Sequence, residues 1–277
     1  MARAGFEVFD CHHHVGSLEA LGLSTGTEGL DPEEALEADL AARLATMDAT
    51  GVDAALLIPG HGYLRPEGLA DTRRVNDRLA AYRARRPDRF PAALGVVEPL
   101  YGGRGLAELD RLHDELGMVG VSFHVRFQGV ATNSPLVVAL VRRMAALGLV
   151  PFLHGVAEVA DEALWKLQEV ARAEPGTTMV VLDGFSSHEQ GEQLLRVAEA
   201  TPNLVFDTSL APGMHAVGRF LATFGSDRLV YGTDVYSHLT PQHRNRTLDD
   251  FMELAMDDDA RRAVLSGNLR RILGLAG

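Results

Sequence analysis

Eight short apolar runs recur along the chain, separated by amphipathic stretches, and this alternation limits the fold more than any other feature. The runs are "FEVFDCH" (6–12), "DAALLIPG" (53–60), "AALGVVEP" (92–99), "MVGVSFHV" (118–125), "LVPFLHG" (149–155), "TMVVLDGF" (178–185), "NLVFDTSL" (203–210) and "RLVYGTDV" (228–235). Their apolarity is continuous, as expected of parallel strands covered on both faces. Helical patterns lie between them. Asp31-Pro32-Glu33-Glu34 offers an N-cap, a proline at the first helical position and acid in the first turn. Leu36, Leu40 and Leu44 follow at a spacing of four, and Gly51 closes the segment. Ser134-Pro135 opens a second helix, with Leu136, Leu140 and Met144 on one face and Gly148 at its end. Further helices are expected over 71–87, 105–117, 161–176, 189–202, 213–225 and 251–275. Eight such units predict a single-domain (β/α)8 barrel, a fold of about 250 residues. The rival, an open doubly wound sheet, often has a glycine-rich turn after its first strand, where this chain has histidines.

In such a barrel the chemistry gathers at the C-terminal ends of the strands. His12 and His14 end the first expected strand, His61 follows the second, and Glu98 ends the third. His124 and Arg126 end the fourth, His154 the fifth, Asp183 the sixth, Asp207 the seventh and Asp234 the eighth. His188 and His238 lie a few residues past the sixth and eighth ends. Residues i and i+2 of a strand share a face, so Asp10, His12 and His14 are expected to point into the barrel mouth and His13 outward. Taken singly, a histidine at a strand end is an ordinary loop residue, and Gly-Thr-Asp is ordinary turn chemistry. Their joint placement argues for more. Two imidazoles from one strand, a third from strand five and the Asp234 carboxylate form a set suited to one catalytic divalent ion, Zn2+ first, with Mn2+ and Fe2+ as alternatives.

The formal net charge of -12 disfavours nucleic acid or an anionic membrane surface as a partner and fits a small-molecule substrate. Cys11 is the only cysteine, so no internal disulfide forms, and a cytoplasmic setting is expected. No run approaches the roughly 18–20 apolar residues of a membrane span. The stretch "SLEALGLSTGTEGLDPEE" (17–34), with Gly22, Gly26 and Gly29, is long enough to serve as a lid over the mouth or as a plain surface excursion. The exposed helix faces of barrels commonly support a homodimer, and the sequence leaves that open.

Four segments, in order, resemble the amidohydrolase superfamily, specifically its amidohydrolase-2 branch of hydrolases and decarboxylases. "FDCHHHVG" resembles the branch's D-x-H-x-H strand, "PFLHG" its strand-five histidine segment, "RLVYGTDV" its strand-eight segment and "GNLRRILGL" (267–275) its C-terminal helix. The resemblance implies His12, His14, His154 and Asp234 as metal ligands. There are two departures. Many members bridge two metals with a strand-four lysine, but the only lysine here, Lys166, lies on a predicted helix. A lysine-bridged binuclear centre is thereby excluded, and a mononuclear one expected. At strand six the branch has a histidine where "VVLDGFSSH" places Gly184, which leaves Asp183 or His188 as replacements.

The leading expectation is a mononuclear hydrolase of a small carboxylated or cyclic substrate such as a lactone or amide. Asp234 would then move the proton of the attacking water, and His124 and Arg126 would bind a carboxylate or oxyanion. His61, His188 and His238 would orient substrate or assist. An alternative is a non-oxidative decarboxylase of a hydroxylated aromatic or enoic acid, in which Asp234 protonates carbon as carbon dioxide leaves. A third is a barrel that binds a ligand without catalysing.

Overall fold

The computed structural model describes residues 5–16, 26–27 and 29–276. Much of the lid expected over 17–34 (positions 17–25 and 28) therefore lies outside the described residues. Eight strands, β1 (Phe9–Val15), β2 (Ala54–Pro59), β3 (Ala92–Gly95), β4 (Gly120–Phe123), β5 (Val150–His154), β6 (Met179–Leu182), β7 (Leu204–Asp207) and β8 (Leu229–Val230), pair in parallel in sequence order. Between them run α1 (Pro32–Thr50), α2 (Leu69–Arg85), α3 (Gly103–Asp114), the short α4 (Val125–Gln128), α5 (Pro135–Leu147), α6 (Leu164–Ala173), α7 (His188–Ala200) and α8 (His215–Phe224). The circle is closed beyond β8, where His13 bridges Val235 and the Cys11 and His14 N–H groups donate to Tyr231 O (2.9 Å) and Val235 O (2.7 Å). The (β/α)8 barrel expected from the alternation is thus the fold.

Local chemistry places the helix ends. The Asp31 carboxylate accepts from the Glu33 and Glu34 N–H groups, and Gly51 ends α1 in the left-handed conformation at φ 81°. Ser134 caps α5, and Gly148 ends it. The buried faces differ from the expected stripes. Val137, Leu140, Val141 and Met144 are the buried residues of α5, whereas Leu136, in its first turn, is exposed. In α1, Leu36 and Leu44 are only half-buried, while the charged Asp39 and Arg43 are buried. The helix expected over 251–275 is broken into α9 (Arg246–Met252), α10 (Asp258–Arg262), a π-helical turn (Ala263–Gly267) and α11 (Asn268–Leu273).

Strand side chains divide between two cores. Phe9, Cys11, Leu56, Ile58, Leu94, Phe152, Val180, Leu182 and Val230 fill the barrel, with Leu269 of α11 packed among them. Val8, Ala55, Leu57, Val121, Leu153, Val181 and Phe206 face the helices. Both faces are apolar and buried, which is why the sequence runs show no alternation. Among the described residues no helix is long and apolar enough to cross a membrane.

Candidate metal centre

A register irregularity between Asp10 and His13 sets the geometry of β1. Phe9 and Cys11 point into the barrel, yet His12 and His14 do so as well, because the irregularity shifts the parity. Asp10 therefore does not join the histidines, contrary to the strict i, i+2 expectation. Its carboxylate accepts from the His12 and Thr233 main-chain N–H groups (2.9 and 3.1 Å) and lies 2.8 Å from His13 Nε2. His13 itself is buried towards α1, where Arg43 Nη1 lies 3.4 Å from its Nδ1.

Three imidazoles meet at the mouth. His12 Nε2 and His14 Nε2 are 3.0 Å apart, and His154 Nε2 is 3.4 Å from His14 Nε2. Each ring is fixed from behind through Nδ1. His12 donates to Asp207 Oδ2 (2.9 Å), His14 to Pro59 O (3.0 Å) and His154 to Phe123 O (2.9 Å). Carboxylates and carbonyls can only accept, so these bonds put the neutral-ring protons on Nδ1 and turn three Nε2 lone pairs on one another. Asp234 Oδ1 lies 3.2 and 3.4 Å from the His12 and His14 Nε2 atoms and is buried without a hydrogen bond. Converging lone pairs and an orphaned carboxylate oxygen repel unless positive charge, a metal ion or a proton on His12, lies between them. The donor set fits a divalent ion.

The electrostatics agree. Burial, reinforced by the neighbouring histidines, holds His14 and His154 well below the ordinary imidazole range. At His12 burial opposes the charge, but Asp234, Asp183 and Asp207 outweigh it and push the group up to about 10. Burial, with Arg65 and His12, takes His61 down to about 3. Burial takes His124 down to about 4, against the pull of Glu162.

Around the cluster, His124 stacks on His154 at 3.9 Å between ring centroids, and its Nδ1 donates to Glu162 Oε1 (2.7 Å). Tyr236 stacks on His14 at 4.3 Å. His61 is buried, with Nε2 3.1 Å from Ser122 Oγ and Nδ1 unbonded. Arg126 is exposed at the start of α4, its guanidinium over the Phe127 ring; burial pushes Asp183 up to about 6, a rise that His12, Ser209 and Arg126 oppose. His188, on the first turn of α7, is exposed, and no contact joins it to the cluster. His238 is exposed too and bonds the Thr240 main chain. Glu98 lies beyond β3, tied to Tyr63 (2.6 Å) and Arg65 (2.7 Å).

Strand six corrects one expectation. Asp183, at φ 62°, turns its side chain inward, and Gly184 faces the helices, where a Cβ would lie 2.8 Å from Leu194 Cδ1. The inward position is a carboxylate, and a side chain at Gly184 would meet Leu194 and Phe206 instead. Asp183 is held by Ser209, whose hydroxyl donates to its Oδ1 (2.7 Å), and by Asp207 Oδ1, which accepts from its N–H (2.9 Å). Ser209, Glu162 and Tyr236 were not among the expected site residues, and Asp207 was expected only at the strand-seven end, without a role. Asp207 and Ser209 share a face two residues apart on "FDTSL", a usable signal. Glu162 sits in a 3-10 turn (Ala160–Glu162), outside any strand, and gave none.

A family model described as amidohydrolase matches residues 9–275. The chain belongs to the amidohydrolase family. Among solved structures, this amidohydrolase is similar to 5-carboxyvanillate decarboxylase from Novosphingobium aromaticivorans, complexed with manganese and 4-hydroxy-3-methoxy-5-nitrobenzoic acid. The match has 17% identity and a TM-score of 0.75, and covers 99% of this chain and 97% of the other. For 2,6-dihydroxybenzoate decarboxylase from Rhizobium the values are 17%, 0.71, 99% and 100%. For an uncharacterized TIM-barrel protein from Bordetella bronchiseptica they are 16%, 0.74, 97% and 99%. At these identities the likeness is one of fold. No curated protein matches the sequence of this amidohydrolase.

Proposed function

We propose that this amidohydrolase is a mononuclear, metal-dependent decarboxylase of a small hydroxylated aromatic or enoic acid, in preference to the lactone or amide hydrolase first expected. The observation that carries the choice lies on strand six. Beside the cluster that strand offers Asp183, already bonded by Ser209, while His188 is exposed on α7. An attacking water would find no imidazole there to take its proton, whereas loss of carbon dioxide requires no attacking water. The full-length likeness to decarboxylases of two different hydroxybenzoates supports the same reading.

His12, His14, His154 and Asp234 would hold the ion, Mn2+ or Zn2+. When bound, it supplies positive charge that grips a substrate carboxylate together with a neighbouring hydroxyl oxygen. Asp234 would deliver a proton to the ring carbon as the carbon–carbon bond pair returns to that carbon and carbon dioxide departs. His124, with its Nδ1 proton given to Glu162, presents Nε2 as an acceptor for the substrate hydroxyl. The stacked pairs His124–His154 and His14–Tyr236 offer flat faces suited to a planar ring. Arg126 would bind a further carboxylate oxygen. A cavity of about 610 Å³, lined by Val15, Pro59, Tyr63 and Arg78, adjoins the ends of β1 and β2.

Metal-loaded protein is to be incubated with 2,6-dihydroxybenzoate, 5-carboxyvanillate and other ortho-hydroxy acids, and in parallel with lactones and amides. Carbon dioxide and the matching phenol are expected. Ring-opened acid from a lactone, without carbon dioxide, would reinstate the hydrolase. Failure to bind any divalent ion would leave only the ligand-binding barrel.

A further inference from the structure

Two triads of ligand atoms share His12. Those of His12, His14 and His154 lie within 4.8 Å of one another, and so do those of His12, Asp183 and Asp234. Both carboxylates of the second triad stand on left-handed backbone, each at φ 62°, a conformation disfavoured for residues with a side chain. At Asp183 that backbone turns the carboxyl into the mouth. Its position is then over-determined, because Asp207 Oδ1 and Ser209 Oγ accept from its N–H (2.9 and 3.1 Å) and the Ser209 hydroxyl donates back to Oδ1. A carboxylate has about four acceptor sites, so the Ser209 bond leaves coordinating capacity. Asp183 and Asp207 are 2% and 0% exposed, and Asp234 lies beside them. Carboxyl groups buried this close together stay charged only with a cation in contact and are otherwise protonated.

We propose that Asp183 is a further ligand of the divalent ion, so that the centre has two carboxylates beside its imidazoles and leans towards Mn2+. The inference rests on the single-ion reading above and adds to it a ligand and a metal preference. Imidazole and thiolate sets of four suit Zn2+, whereas added carboxylate oxygens and higher coordination numbers suit Mn2+. Asp234 and Asp183 approach from the ends of β8 and β6, and β6 pairs with β5, His154 opposite Leu182, so the second carboxylate extends the set between His154 and Asp234.

The test titrates metal-stripped wild type, Asp183→Asn and Asp183→Glu with MnCl2 or ZnCl2 alone, by calorimetry or chelator competition. Water-proton relaxation of the Mn2+-loaded proteins is measured alongside, and thermal melts check that each variant folds. Asp183→Asn is expected to lose about tenfold or more in Mn2+ affinity, in the range seen for residues supporting a metal site. Its Zn2+ affinity should fall much less, and the bound Mn2+ should gain a water. Asp183→Glu should keep part of the Mn2+ preference. Equal losses for both ions, unchanged hydration, or two ions per wild-type chain would overturn the proposal. Wild type that binds neither ion would instead bring down the single-ion reading itself.

Discussion

Asp207→Asn tests the lock that aims His12. Both side chains are fully buried, and Asp207 Oδ2 accepts from His12 Nδ1 at 2.9 Å. Asparagine keeps the shape and a carbonyl acceptor but removes the charge. A hydrogen bond to a charged group is worth about 1.5–3 kcal/mol, and loss of a residue supporting a metal ligand costs about 10–100-fold in affinity. The two estimates coincide, since tenfold is about 1.4 kcal/mol. The same carboxylate also favours a proton on metal-free His12, which competes with the ion. Part of the loss therefore cancels at neutral pH, and the lower end, about tenfold, is expected there. Chelator-competition affinities for Mn2+ and Zn2+ provide the readout, with His12→Ala and the double variant completing a cycle. In the His12→Ala background the Asp207 substitution should have almost no further effect. Unchanged affinity in a folded Asp207→Asn protein, or a full loss persisting without His12, would refute the orienting role.

Metal uptake should release a proton. With His12 pushed up to about 10, the metal-free protein carries His12 charged at pH 7, and the ion binds the neutral ring. Burial and Asp183 also hold the Asp234 carboxyl well above the usual carboxylate range, so apparent affinity should rise with pH between pH 6 and 9 by at least about tenfold per unit. His14 and His154, both held low, should add nothing. Calorimetry in two buffers of different ionisation enthalpy counts the proton, and a count near zero would contradict the assignment. Gly232→Ala should strike the same lock by a different route, because its Cβ would lie 2.6 Å from Asp207 Oδ2 and 2.9 Å from Cys11 Sγ. A stability loss of about 1–3 kcal/mol is expected together with weakened metal binding, read from thermal melts with and without Zn2+. A variant that melts like wild type in both conditions would show that the contact relaxes freely.

The barrel was legible because its strands are apolar on both faces and its helices carry explicit ends, Asp31 and Gly51 among them. The convergence of His12, His14 and His154 was legible for the same reason: strand ends share one rim. Errors came where the backbone departs from the ideal strand. The irregularity in β1 turned Asp10 away, and the left-handed residue at Asp183 placed a carboxylate inward and a glycine outward. Neither conformation has a composition signature, since aspartate tolerates left-handed backbone without demanding it. The supporting residues escaped for a further reason. Glu162 reaches His124 from a turn 38 positions away, a contact made by tertiary packing alone.

The junction between β1 and the segment after β8 has consequences for the order in which the barrel is assembled. Asp10 and Thr233, bonded there, are 223 positions apart, so closing this seam costs more chain entropy than pairing any two consecutive strands. His12 and His14 stand on one side of the seam and Asp234 on the other. During synthesis the two histidines leave the ribosome early and wait for their carboxylate until nearly all of the described barrel has followed. A nascent chain thus has only a fragment of the proposed ion site, too incomplete to capture metal firmly. Only the closed barrel offers the full set, and an ion bound across the seam then becomes the stitch that holds first strand to last.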